Sequence, residues 1–134
     1  GLVSLTTWDV RGINAVPAGL LELMGMDDAY GPGQWSDAAK VRKIFGDTGR
    51  EHTFGEVVED MILFHFDSIE HAFSQLVAVS GPWQMIFGHL KQQGQGARAE
   101  EVMLEHLHQH AIPAKDGAGI CYEAFYNIMR IEAR

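Results

Sequence analysis

Three stretches rich in β-branched and aromatic residues stand far apart in the chain, so any sheet they build must be joined across long connections. The first is Leu2 to Trp8, where Leu2, Val3, Leu5 and Thr7 with Ser4 and Thr6 make a short strand that ends at Trp8-Asp9. The second lies within Arg50 to Phe66. It carries Thr53, Phe54, Val57, Val58, Met61, Ile62, Leu63 and Phe64 without helical caps, and Gly55 and the pair Glu59-Asp60 interrupt it. It reads as one or two strands, with a bulge or bend near Gly55 or Asp60. The third, Ile120 to Ile131, is rich in Tyr, Phe and Ile without helical periodicity and reads as a long final strand.

The intervening segments are helical or irregular. Val10 to Gln34 is broken by Gly12, Pro17, Gly19, Gly25, Gly31, Pro32 and Gly33, and only Leu20, Leu21, Leu23 and Met24 suggest a helical turn there. Ser36 is placed to cap a helix with apolar positions Ala38, Val41, Ile44 and Phe45, and Gly46 stands just past its end. Asp67 with Glu70 resembles a capping box for a helix carrying Phe73, Leu76 and Val77, which Gly81-Pro82 stops. A further helix starts at Pro82 with the stripe Trp83, Ile86, Phe87 and Leu90 and ends near Gly94. Ala97 to His110 forms an amphipathic helix with Val102, Met103, Leu107 and Ala111 on one side and Glu100, Glu101 and Glu105 on the other, followed by a turn from Pro113 to Gly119.

A chain of 134 residues, 46% hydrophobic and 21% charged, suits one folded domain spanning residues 1–134. The net charge of −8 argues against a nucleic-acid surface, and the single or paired Lys and Arg form no basic patch. No apolar run approaches the about 18 residues that span a membrane, so no membrane partner is expected and the cytoplasm is the default compartment. Cys121 is the only cysteine, which excludes an internal disulfide and points to a buried structural thiol. A strand beginning directly after Gly1, with no Met or leader before it, reads as the interior of a longer protein.

The order strand, irregular connection, capped helix, strand, helical insertion, final strand resembles the C-terminal half of the ubiquinone-biosynthesis-like methyltransferases, a branch of the class I S-adenosylmethionine-dependent fold. Gly1 to Asp9 looks like that family's fifth strand, which runs into a Trp-Asp pair. Trp35-Ser36-Asp37, Val41 to Phe45 and Gly49 look like its next helix. Phe66-Asp67-Ser68 with Glu70, and Ser80-Gly81-Pro82, resemble the helical insertion over the active site, and Tyr126 to Arg134 resembles the closing antiparallel strand. The family's glycine-rich turn after its first strand is absent: Gly31-Pro32-Gly33 contains Pro, and Gly94-Gln95-Gly96 follows a helix.

The resemblance implies an α/β fold, or α+β for the fragment alone. Its sheet would have three strands in the order first, last, middle, with the last antiparallel, and a helical insertion at residues 67–112. It implies the substrate-side portion of a small-molecule methyltransferase that uses S-adenosylmethionine in the complete protein, with no cofactor expected for this chain alone. Trp8 and Asp9 would then stand at the strand end that meets the substrate, and His65, Trp83 and Phe87 would belong to the covering insertion. The opening strand would lack one neighbour, which implies a homodimer or a pairing with an N-terminal fragment. The alternative is a dimeric α+β module that binds a small ligand without methyl transfer. On the helix carrying His106, His108 and His110, the first and third share a face, and a solvated face is the plainer reading than a metal site. No pair of carboxylates suggests acid–base catalysis, and methyl transfer needs mainly alignment.

Overall fold

The computed structural model describes residues 1–26 and 37–134. In chain order the described elements are β1 (Leu2–Gly12), α1 (Ala18–Leu23), α2 (Ala38–Gly46), β2 (His52–Phe66), α3 (Ile69–Val79), α4 (Gly81–Gln92), α5 (Gly96–His110), β3 (Ile112–Pro113) and β4 (Ile120–Ala133). The protein is therefore mixed α/β. The middle stretch is one strand, the final strand has the anticipated place, and β3 is an addition too short to leave a pattern in the sequence.

The sheet runs β1-β4-β2, with β3 beside β4. The strands nearest the two ends of the chain are antiparallel partners, from Leu2 opposite Glu132 to Trp8 opposite Tyr126, and a register shift follows between Trp8 and Gly12. On its other side β4 meets β2. The Arg134 main-chain N–H donates to the Glu51 carbonyl, Gly55 lies against Arg130, and Tyr126 reaches Asp60. Partner numbers fall on one strand as they rise on the other, so this pair is antiparallel too.

The residues group into two compact units. In the first, α2 packs on one face of the sheet. Val41, Met129 and Ile131 are buried there, with Leu5, Ala38, Phe45, Phe54 and Val57 against them. These side chains obey the two periods of the chain: Leu5, Met129 and Ile131 share a strand face, while Ala38, Val41 and Phe45 recur at helical spacing. The N-cap of α2 is Asp37, whose carboxylate accepts from the Ala39 N–H at 2.8 Å. Ser36, Trp35 and the Gly31-Pro32-Gly33 turn lie outside the described residues.

The second unit holds α1 and the helices α3, α4 and α5, and the insertion expected at residues 67–112 falls within it. Its core is larger, with Leu20, Ala72, Trp83, Phe87, Leu90, Ala99, Val102, Met103, Leu107 and Tyr122 buried. The Tyr122 hydroxyl donates to the Leu107 carbonyl at 2.9 Å and fastens the start of β4 to α5. The cap of α3 is Ser68, one residue beyond the expected Asp67. Its Oγ accepts from the His71 N–H at 3.0 Å, while the Asp67 main-chain N–H donates to His71 Nδ1. Gly94 closes α4 at φ 73°, a conformation that favours glycine. No helix among the described residues is long and apolar enough to cross a membrane.

Candidate functional site

Alternation along β1 sends Leu5 and Thr7 toward α2 and leaves Thr6 and Trp8 on the other face of the sheet. Trp8 stands directly opposite Tyr126 on β4, and the two rings meet edge to face with centroids 6.2 Å apart. With Thr6, Thr7 and Ile62 they line a cleft of about 380 Å³, within the usual range for a small-molecule pocket. Trp8 remains 42% exposed and Ile62 40%, so two large apolar side chains are presented at an open face. Cross-strand aromatic pairing accounts for the place of Trp8 without burial in a core.

The polar rim comes from Tyr126, whose hydroxyl donates to Asp60 Oδ2 at 3.2 Å. Desolvation, then the hydrogen bond to Asp60 and its charge, hold the Tyr126 phenol above its ordinary value, so it stays protonated at neutral pH. Asp9 is turned the other way and is 9% exposed. Arg11 grips both of its oxygens, Nε to Oδ1 at 3.0 Å and the terminal nitrogen to Oδ2 at 3.1 Å, and the Arg11 main-chain N–H adds a 2.9 Å bond to Oδ1. The Arg11 side-chain hydrogen bond is the main reason the Asp9 carboxyl lies below its usual range, against an opposing desolvation. Asn127 Nδ2 adds a bond to Oδ2 at 3.5 Å. A carboxylate so held is a fixed charge that braces the end of β1, and a poor proton acceptor. Arg11 itself lies 4.7 Å from the centroid of the Phe125 ring.

The other candidates lie in the second unit. His65 is exposed, and its Nδ1 is 3.1 Å from the Sγ of Cys121, which is buried at 3% exposure. Trp83 and Phe87 are 6% and 2% exposed and pack within the helical core, Phe87 edge to face with Phe73 at 5.5 Å. Thus Trp8 alone of the five candidates borders the cleft. His106 is buried at 6%, with its ring 4.5 Å from that of His110, so a solvated face does not describe it. Among the described residues no group of three or more His, Cys, Asp or Glu is placed to hold a metal ion.

Sequence reasoning overlooked Tyr126, Ile62 and Asp60 as neighbours of Trp8, because only the strand register brings them there. The Asp9-x-Arg11 spacing was a usable signal, since residues two apart share a strand face. Gly12 ends β1 at φ 65°, a conformation that favours glycine. The cleft holds no paired nucleophile and base; it can seat a flat apolar body with a polar group toward Tyr126. No family model matches the chain, and no curated protein matches it.

Proposed function

We propose that this chain is the substrate-side portion of an S-adenosylmethionine-dependent small-molecule methyltransferase whose cofactor is bound by a different segment. The observation that carries the reading is the strand order β1-β4-β2, with the closing strand antiparallel and inserted between two strands that precede it. Such an insertion makes β1 an edge strand, and Leu2 and Val3 on it are 59% and 49% exposed. β1 runs on to Gly12, past the end expected at Trp8-Asp9, so the aromatic cleft at Trp8 lies on the open face of the sheet and not beyond a strand end. Its aromatic pair is what supports a small-ligand site there. The substrate class that fits is a small flat molecule with a hydroxyl that donates to the Tyr126 oxygen, whose own proton is given to Asp60. A cytoplasmic setting belongs to the same reading.

Two measurements test it. Calorimetric titration of this chain with S-adenosylmethionine is expected to show no micromolar binding, because the sequence lacks the family's glycine-rich turn after a first strand; micromolar binding would overturn the division of labour. The reading frame upstream of the Gly1 codon is expected to encode a glycine-rich strand-turn-helix, and an unrelated sequence there ends the methyltransferase reading. The second reading, a dimeric module that binds a small apolar ligand, draws on the open Trp8 cleft alone. It is favoured if the chain binds planar aromatics at the cleft while that upstream unit is missing.

A further inference from the structure

Arg42, on the exposed side of α2, and Arg134, just beyond β4, border one open cleft of about 580 Å³ in the first unit. The rest of its lining is the stretch Glu51, His52, Thr53 and Phe54 at the start of β2. The main-chain N–H of Arg134 is bound to the Glu51 carbonyl at 3.1 Å, which fixes the backbone from which its side chain springs. Neither guanidinium forms an ion pair among the described residues, whereas Arg11, Lys43 and Arg98 all do. In a chain of net charge −8, two arginines bordering one cleft concentrate positive charge there.

The floor is aromatic. Arg42 lies over the Phe54 ring at 5.8 Å, His52 is inclined at 42° to Phe54 with centroids 6.3 Å apart, and Phe45 stands edge-on to both. His52 Nδ1 is buried and without a hydrogen-bond partner among the described residues. At the rim the exposed Glu51 carboxylate stands against the two guanidinium groups.

We propose that this cleft binds a small organic oxyanion, a carboxylate or a phosphate monoester carried on a flat apolar ring. Paired guanidinium forks match the oxygen geometry of such groups, the Thr53 hydroxyl supplies a further donor, and the Phe54 and His52 rings offer a surface for the apolar body. The volume suits a ligand of that size. The proposal is independent of methyl transfer, since the Trp8 cleft and this one have no lining residue in common.

The test is a set of titrations followed by amide chemical shifts at low ionic strength, with phenyl phosphate, benzoate, inorganic phosphate and benzylamine as probes. Phenyl phosphate or benzoate should give saturable shifts at Thr53 and Phe54, inorganic phosphate weaker ones and benzylamine none. The stronger of the two aromatic anions identifies the oxyanion. The double variant Arg42→Ala, Arg134→Ala should bind the better probe at least about tenfold more weakly, with an unchanged melting profile because both side chains are exposed. Equal binding by the double variant, shifts scattered over other surface cations, or no saturation by either aromatic anion would overturn the proposal.

Discussion

Asp9 is buried yet ionised, and its neighbours account for both. Three hydrogen bonds from Arg11 replace the water it loses, and they form only when β1 is folded, so its folded pKa falls below the unfolded one. The sign follows from linkage: this stabilisation is fully present above the unfolded carboxyl value of about 3.9 and is lost as pH falls through the lower folded value. Asp9→Asn is therefore expected to unfold at lower urea than wild type at pH 7, and the gap should shrink at pH 3. Glycine supplies a second contrast at this scale. Gly119, at φ 80°, abuts the Phe66 carbonyl, whereas a Cβ at Gly25, at φ 67°, would meet nothing among the described residues. Gly119→Ala should cost about 3 kcal/mol, strain and clash together, and Gly25→Ala about 1 kcal/mol, strain alone. Equal losses in urea unfolding would contradict the close approach. Neither role was legible beforehand, because a sequence marks a glycine but not what lies beside it.

Helices were the most legible elements, and their caps the least. The stripe Trp83, Phe87 and Leu90 identified α4, and all three are buried. The resemblance placed Trp83 and Phe87 in a substrate-covering insertion, while aromatic residues at helical spacing more often pack in a core; a 3.6-residue period reports burial without saying whether ligand or protein does the burying. Asp67 and Ser68 are both good caps on paper, and the structure chooses Ser68. Ser68→Ala should lower stability by about 1 kcal/mol and Asp67→Ala by about 0.5 kcal/mol or less, read from thermal unfolding at neutral pH. Tyr122 ties β4 to α5, and burial first, then the Glu70 charge, push its phenol up to about 12. A raised pKa means the folded form holds its proton longer. Its stabilisation is complete below the unfolded value near 10 and disappears as pH climbs toward the folded one. Tyr122→Phe should lose about 1 kcal/mol at pH 7 and show a smaller additional loss between about pH 10 and 12 than wild type.

At the scale of the whole chain, the expectation that the outermost strands meet was the most productive of those drawn from the sequence. It depended on recognising an order of elements, since local propensity says nothing about which strands pair. The exposed apolar side chains of β1 and β2, among them Leu2, Val3, Val58 and Ile62, lie on the two edge strands. Self-association through an edge strand is expected to appear as a dimer mass in light scattering, and to be weakened by Val3→Lys, which places a charge on β1. A strict monomer at high concentration would remove that expectation. The central place of β4 has a kinetic side as well. Thr6 and Ile128 are partners in the register although 122 positions separate them, so β1 has no partner until the last stretch of chain arrives. Helices α3, α4 and α5 close their contacts over much shorter loops and should form first. Until then an apolar ribbon waits unpaired, and protection of β1 amides in pulse-labelled exchange should lag behind that of α5.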